Sequence, residues 1–172
     1  MGNQRGVTLI EMVAVVAVAS VMLVSAIGYS VPWMAKQTMR SAVHDVRSFM
    51  QLAKIEAVSR NHECRFVVDG VNRTLEVWDM LGNTDPTDDV LLHDGRVPDP
   101  VSFDRPDGGT PVTLQVIGAK VFQTVFASDG TVSSGSGDVF FHSAESFGRI
   151  GVHAAGGTTI SYWNGSAWQV GS

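Results

Sequence analysis

At 172 residues the chain has room for about one domain, and with 44% hydrophobic against 17% charged residues it has ample material for a packed core. The net charge of −5 is unevenly spread: residues 33–61 hold Lys36, Arg40, Arg47, Lys54 and Arg60 against Asp45 and Glu56, a balance of +3, while residues 62–172 hold six Lys/Arg against fourteen Asp/Glu, a balance of −8. An acidic body is a poor match for phosphates and argues against a nucleic-acid partner. The single cysteine, Cys64, excludes an internal disulfide and reads as a small residue opening a buried strand.

The first element is an apolar run. No charge occurs between Glu11 and Lys36, and a helix over residues 7–31 would exceed the roughly 30 Å hydrocarbon thickness of a bilayer at about 1.5 Å per residue. Arg5 and the amino terminus precede it, which favours a cytoplasmic N-terminus and an exported body. An ordinary secretory signal is the first rival, because Ala17-Val18-Ala19 offers a small-x-small cleavage pattern. Cleavage there would expose Val21-Met22-Leu23-Val24 at a new terminus, and Glu11 would interrupt the apolar region. A plain signal anchor is the second rival, and it leaves Glu11 unexplained. A carboxylate within an apolar span costs about 2.5–3.5 kcal/mol at the centre and less near the ends. Release of a new amine after Gly6, four residues before Glu11, would supply a cation to offset that cost, and pairing between neighbouring subunits would set the axial register of packed helices.

The residues Arg5-Gly6-Val7-Thr8-Leu9-Ile10-Glu11 resemble the leader of type IV prepilins and type II secretion pseudopilins. The resemblance implies a leader of residues 1–6 that a prepilin peptidase cleaves between Gly6 and Val7 on the cytoplasmic face, N-methylation of Val7, and a role for Glu11 in assembly. Val7 departs from the Phe usual in the family. The implied partners are other pilins or pseudopilins of a filament, the peptidase/N-methyltransferase, an inner-membrane assembly platform and membrane lipid. The implied location is the inner membrane with a periplasmic body, followed by a filament.

Pro32, after Gly28 and Ser30, is expected to kink or locally melt the helix. Beyond it, residues 32–61 form an amphipathic half. Val43, Val46, Met50, Ala53 and Ala57 share one face, with Lys36, Arg40, His44, Arg47 and Lys54 interleaved as the polar side. Asn61, followed by His62, is the expected stop. The segment Ser48-Phe49-Met50-Gln51-Leu52-Ala53-Lys54-Ile55-Glu56-Ala57-Val58-Ser59-Arg60-Asn61 resembles the helix end of the GspH/FimT group of minor pilins and pseudopilins, with Lys54 where that group usually has Arg.

Residues 62–172 read as a β-rich body. Strands are expected at 65–68 and 74–78 around the turn Asp69-Gly70-Val71-Asn72-Arg73, at 90–93, 101–104, 112–116, 121–126, 139–142 and 150–153, and at 158–163 and 167–170 across Asn164-Gly165. Loops fall at 82–89, 106–111 and 133–137. The predicted fold class is α+β, a long N-terminal helix packed on antiparallel sheet, as in pilins. Phe126-Ala127-Ser128-Asp129-Gly130 and Gly148-Arg149-Ile150 also resemble the GspH/FimT body.

Candidate chemistry is sparse. His62 and Cys64 are close in sequence while His93, His142 and His153 are scattered, and no spacing among them assembles a metal site or an oriented nucleophile. Asp85, Asp88 and Asp89 offer oxygen ligands for calcium, though their spacing fits no EF-hand and a solvated acidic loop accounts for them. No catalytic residue, cofactor or enzyme activity is expected. DNA capture would call for clustered C-terminal cations, and after Arg149 the chain has no Lys or Arg. The reading is therefore a structural subunit of a secretion pseudopilus or type IV pilus, the alternative being a DNA-uptake or adhesive minor pilin that binds through its body.

Overall fold

A computed structural model describes residues 8–83, 85–144 and 146–171, except for the side chains of residues 26–32. One helix, α1 (Leu9–Arg60), precedes ten strands. The chain divides into two compact units, residues 1–35 and residues 36–172.

In the first unit α1 opens at Thr8, whose hydroxyl accepts the Glu11 N–H at 3.3 Å. Every side chain described over residues 9–25 is exposed. Ser20 and Ser25 return their hydroxyls to the carbonyls of Val16 and Val21, at 2.7 and 2.9 Å, so these two hydroxyls are satisfied within the helix. Among the described residues no helix is long and apolar enough to cross a membrane. The span expected over residues 7–31 extends past the described side chains at both ends. Pro32, Gly28 and Ser30 are assigned to α1 but their side chains lie outside the description, as do Gly6 and Val7 altogether.

In the second unit the remainder of α1 lies on two antiparallel sheets. The expected stripe is found: Val43, Val46, Met50, Ala53 and Ala57 are fully buried, joined by Met39 and Ala42. The helix ends where Asn61 takes a left-handed conformation (φ 57°), and the His62 N–H reaches the Ala57 carbonyl at 3.3 Å, a Schellman closure. The first sheet has the order β3 (Val90–Arg96), β2 (Thr74–Asp79), β1 (Cys64–Asp69), β5 (Val121–Phe126), β4 (Gln115–Gly118), with β6 (Val132–Ser134) on β5. The second has the order β10 (Trp168–Val170), β9 (Thr158–Trp163), β8 (Ser146–Val152), β7 (Gly137–Ser143).

Register explains the core. Phe66 pairs with Val77 and Thr124, and Val68 with Leu75 and Phe122, so alternate residues of three strands form one face. Val139, Ile150 and Ile160 align in the second sheet in the same way. These residues join the helix stripe in a single cluster.

The β1–β2 hairpin forms as expected, its turn pinned by Asp69 accepting the N–H groups of Val71 and Asn72 at 2.7 and 3.0 Å. The 158–163 strand also returns through Asn164-Gly165, where Asn164 accepts from Ser166 and Ala167. Other expectations need correction. Residues 101–104 form no strand, only a bridge between Ser102 and His142, because Pro98, Pro100 and Pro106 bracket them and remove ladder donors. Residues 112–116 become a bridge at Val112 and a strand that starts at Gln115. The strand expected from Ile150 begins at Ser146, and β6 and the start of β7 occupy part of the expected 133–137 loop.

Gly148 shows what the helix demands of the sheet. A Cβ there would lie 2.7 Å from Met39 Sδ and 2.8 Å from Val43 Cγ2, so only glycine admits α1 this closely. Gly156 is tighter still: its φ is +74° and a Cβ would collide with the Gly130 carbonyl, whereas Gly157 faces open space. Gly156→Ala should lower unfolding stability by at least about 2 kcal/mol through left-handed strain and overpacking, while Gly157→Ala should stay within about 0.5 kcal/mol of the parent. Denaturant midpoints of the full chain in mild detergent check this; equal effects at the two positions would contradict the packing.

Candidate assembly site

Glu11 stands in the first turn of α1, three residues after the capping Thr8. Thr8-Leu9-Ile10-Glu11 has the spacing of a capping box, in which an N-cap hydroxyl and an acidic third residue satisfy first-turn donors. A carboxylate there also complements the partial positive charge of the helix N-terminus. Sequence reasoning missed the Thr8 cap, although the T-x-x-E spacing carries the signal. Glu11 also borders a shallow apolar groove along one helix face with Ala14, Val15, Val18, Ala19 and Met22. Around it Leu9 is 83% and Val24 72% exposed. A stretch that is apolar on all sides and bare must be covered by lipid or by other helices.

The other candidates have been absorbed into the body. Asp85 accepts from the Thr87 N–H and hydroxyl, at 3.0 and 2.7 Å, which holds its carboxyl below the usual range. Asp88 accepts from the Asn83 amide at 2.9 Å, and Asp89 pairs with Arg65 at 2.7 Å. The three carboxylates thus face different partners, and among the described residues no group of three His, Cys, Asp or Glu could hold a metal ion. Thr84 of the same loop lies outside the described residues.

Cys64 is fully buried, and burial, reinforced by nearby Asp79, pushes its thiol up to about 12. Asp79 is itself buried; it accepts from the Leu81 N–H at 3.0 Å and from Arg60 at 3.3 Å, with His62 Nδ1 3.6 Å away. Arg60 also grips Glu56 at 2.7 Å, and this hydrogen bond is the main cause of the lowered Glu56 pKa, with His93 at 3.4 Å adding to it. The ion pairs therefore lock the end of α1 to β2 and β3. His142 stacks on Phe147, and His153 shares a hydrogen bond with Thr159, so the histidines do not converge.

Arg149 is engaged too. Its guanidinium lies over Trp168 at 5.5 Å, within 3.9 Å of Asp138 and 3.4 Å from the Ser161 hydroxyl.

The Lys54 and Asp129-Gly130 motifs meet in space. Lys54 Nζ donates to the Gly156 carbonyl at 3.1 Å, and its side chain packs against Gly130, whose N–H closes the turn by donating to the Ala127 carbonyl at 2.9 Å while Asp129 accepts from the Thr131 N–H. These residues seat two loops on α1, which is a structural task. Their sequence separation hid the partnership.

The family described as Type II transport protein GspH matches residues 42–158, well over half of the chain, and the prokaryotic N-terminal methylation motif matches residues 1–27. No curated protein matches. Among solved structures, the type IV minor pilin FimU of Pseudomonas aeruginosa (strain PAO1) is similar at 16% identity, with a TM-score of 0.46 over 78% of this chain and 94% of that one. With the methylation motif ahead of a GspH domain, the chain belongs to the GspH family and is a minor pseudopilin or minor pilin subunit, a class that associates with other pilins in a filament.

Proposed function

We propose that this subunit is matured between Gly6 and Val7 by a prepilin peptidase, methylated at Val7, and held in the inner membrane by residues 7–31. Its body then faces the periplasm until an assembly platform passes it into a filament. The observation that supports this reading is Glu11 on the first turn of a bare apolar helix. Release of the leader would place an ammonium group, with an ordinary pKa of about 7.7–8.0, just before the positive end of that helix. There it is disfavoured, and Glu11 supplies the compensating charge. Between subunits the same pairing neutralises both desolvation costs and fixes the axial register. Pro32 serves as the point where α1 can bend or unwind during packing.

The body acts as a structural rather than a catalytic part, and Arg149, after which the chain has no Lys or Arg, is already engaged, which leaves the C-terminal end without a cation cluster for DNA capture. Whether the filament belongs to secretion or to a surface pilus does not alter the anchor chemistry.

Three outcomes are expected. Mass analysis of the protein isolated from membranes should give a mature end at methylated Val7; an end at Ser20 or an intact leader would sink the maturation scheme. Glu11→Gln separates the two roles of the carboxylate, because Gln preserves a capping box but carries no charge. It should be cleaved normally and fail to co-assemble, as Glu11→Ala should, whereas full incorporation of the Gln variant would leave only capping. Finally, with its thiol near 12, Cys64 should resist an aromatic disulfide reagent at about pH 8 in the native chain and react only once unfolded. A fast native reaction would point to chemistry that the structural role does not need.

A further inference from the structure

A second, polar feature lies between α1 and the β9–β10 hairpin. Lys36, Arg40 and His44 follow one another at four-residue intervals along α1, which places them on one side. Arg40 and His44 line a cleft of about 350 Å³ with Tyr162, Gln169 and Gly171, and an adjoining hollow of about 200 Å³ shares Arg40, Tyr162 and Gln169 and adds Lys36. The Arg40 guanidinium sits 5.2 Å from the centre of the Tyr162 ring, which fixes its position. The Tyr162 hydroxyl is buried with no hydrogen-bond partner among the described residues.

Arg60, Arg65, Arg73, Arg105 and Arg149 each face a carboxylate, whereas Lys36, Arg40 and His44 form no ion pair among the described residues. Among the described residues, Lys36, Arg40 and His44 thus gather without a carboxylate partner beside a phenol that has none either. A guanidinium fork, an ammonium, an imidazole, a phenol and a carboxamide are the donor set for an oxyanion. Lys36 follows Val31, the last residue of the apolar run, by five positions in the sequence. A membrane-anchored chain meets lipid phosphate in that interval.

We infer that this cleft binds the phosphate of an anionic phospholipid headgroup, holding the body against the membrane surface before assembly. The lipid assignment rests on the membrane-anchored reading above. It is tested independently of maturation and assembly, which are read from the N-terminal mass and from Glu11→Gln.

The test is native mass spectrometry of the full chain in a nonionic detergent, titrated with short-chain phosphatidylglycerol, phosphatidylcholine or inorganic phosphate. Phosphatidylglycerol should be retained about tenfold more strongly than phosphatidylcholine, and Arg40→Gln or Lys36→Gln should each remove about tenfold of that retention, as loss of a charge-assisted contact requires. Lys120→Gln, the same charge change on the β4–β5 turn, should leave it unaltered. Tyr162→Phe should lower retention several-fold while leaving the melting temperature of the lipid-free chain unchanged or raised, since the lost hydroxyl has no partner there. Equal retention of the two lipids, or a Lys120→Gln effect matching that of Arg40→Gln, would overturn the inference. Inorganic phosphate binding as tightly as phosphatidylglycerol would overturn the lipid assignment and leave a free-anion site.

Discussion

A helix that is apolar on every side and bare on every side cannot be an end state in water. Residues 9–25 show no described side chain that is buried, so their free energy depends on what surrounds them outside their own chain. Lipid can cover them before assembly, and like segments of other subunits can cover them within a filament. Both environments tolerate Val, Leu, Met and Ala equally well and discriminate poorly between one axial position and the next. In the assembly proposed above, the single carboxylate, Glu11, would break that degeneracy, because a charge in an apolar medium is stable only where its partner is.

The second unit presents the opposite design. From Met39 to Ala57 the same helix is buried on one face against two sheets, and the sheet side is shaped to receive it by Gly148 and by the Gly130–Gly156 contact. Ion pairs from Arg60 to Glu56 and Asp79, and the hydrogen-bond contact of His93 with Glu56, tie the helix end to β2 and β3. Several of the short motifs in the body serve to seat the helix. Lys54 illustrates this: its ammonium satisfies a loop carbonyl 102 residues away, so the residue serves the fold and not a ligand.

Much of this was legible beforehand where the physics is local. The five-residue apolar stripe reads directly from helical spacing, and the Asn61 stop from its tolerance of positive φ. The turns at residues 69–73 and 164–165 read from side chains that hydrogen-bond their own backbone. Glu11 stood out because a carboxylate in an uncharged run has few bland explanations. What was hidden depends on distant partners. Residues 101–104 look like a strand by composition, but the surrounding prolines leave them only a bridge. The opening of β8 at Ser146 carries little β-forming character and is held by its pairing with Ser143. Arg149 reads as a free cation until Trp168 and Asp138 come into view. Likewise Asp85, Asp88 and Asp89 are neighbours in sequence that turn to separate partners.

In the proposed assembly, the bare helix face around Glu11 is covered by the corresponding segments of other subunits once the filament forms. Site-specific photo-crosslinking from Val15 or Val18, which flank Glu11 in the apolar groove, tests it most directly in assembled material. Cross-links to the N-terminal helices of neighbouring pilins are expected, and they should be lost when Glu11 is replaced by Gln. Cross-links to lipid alone in assembled filaments, or subunit cross-links indifferent to Glu11, would contradict it.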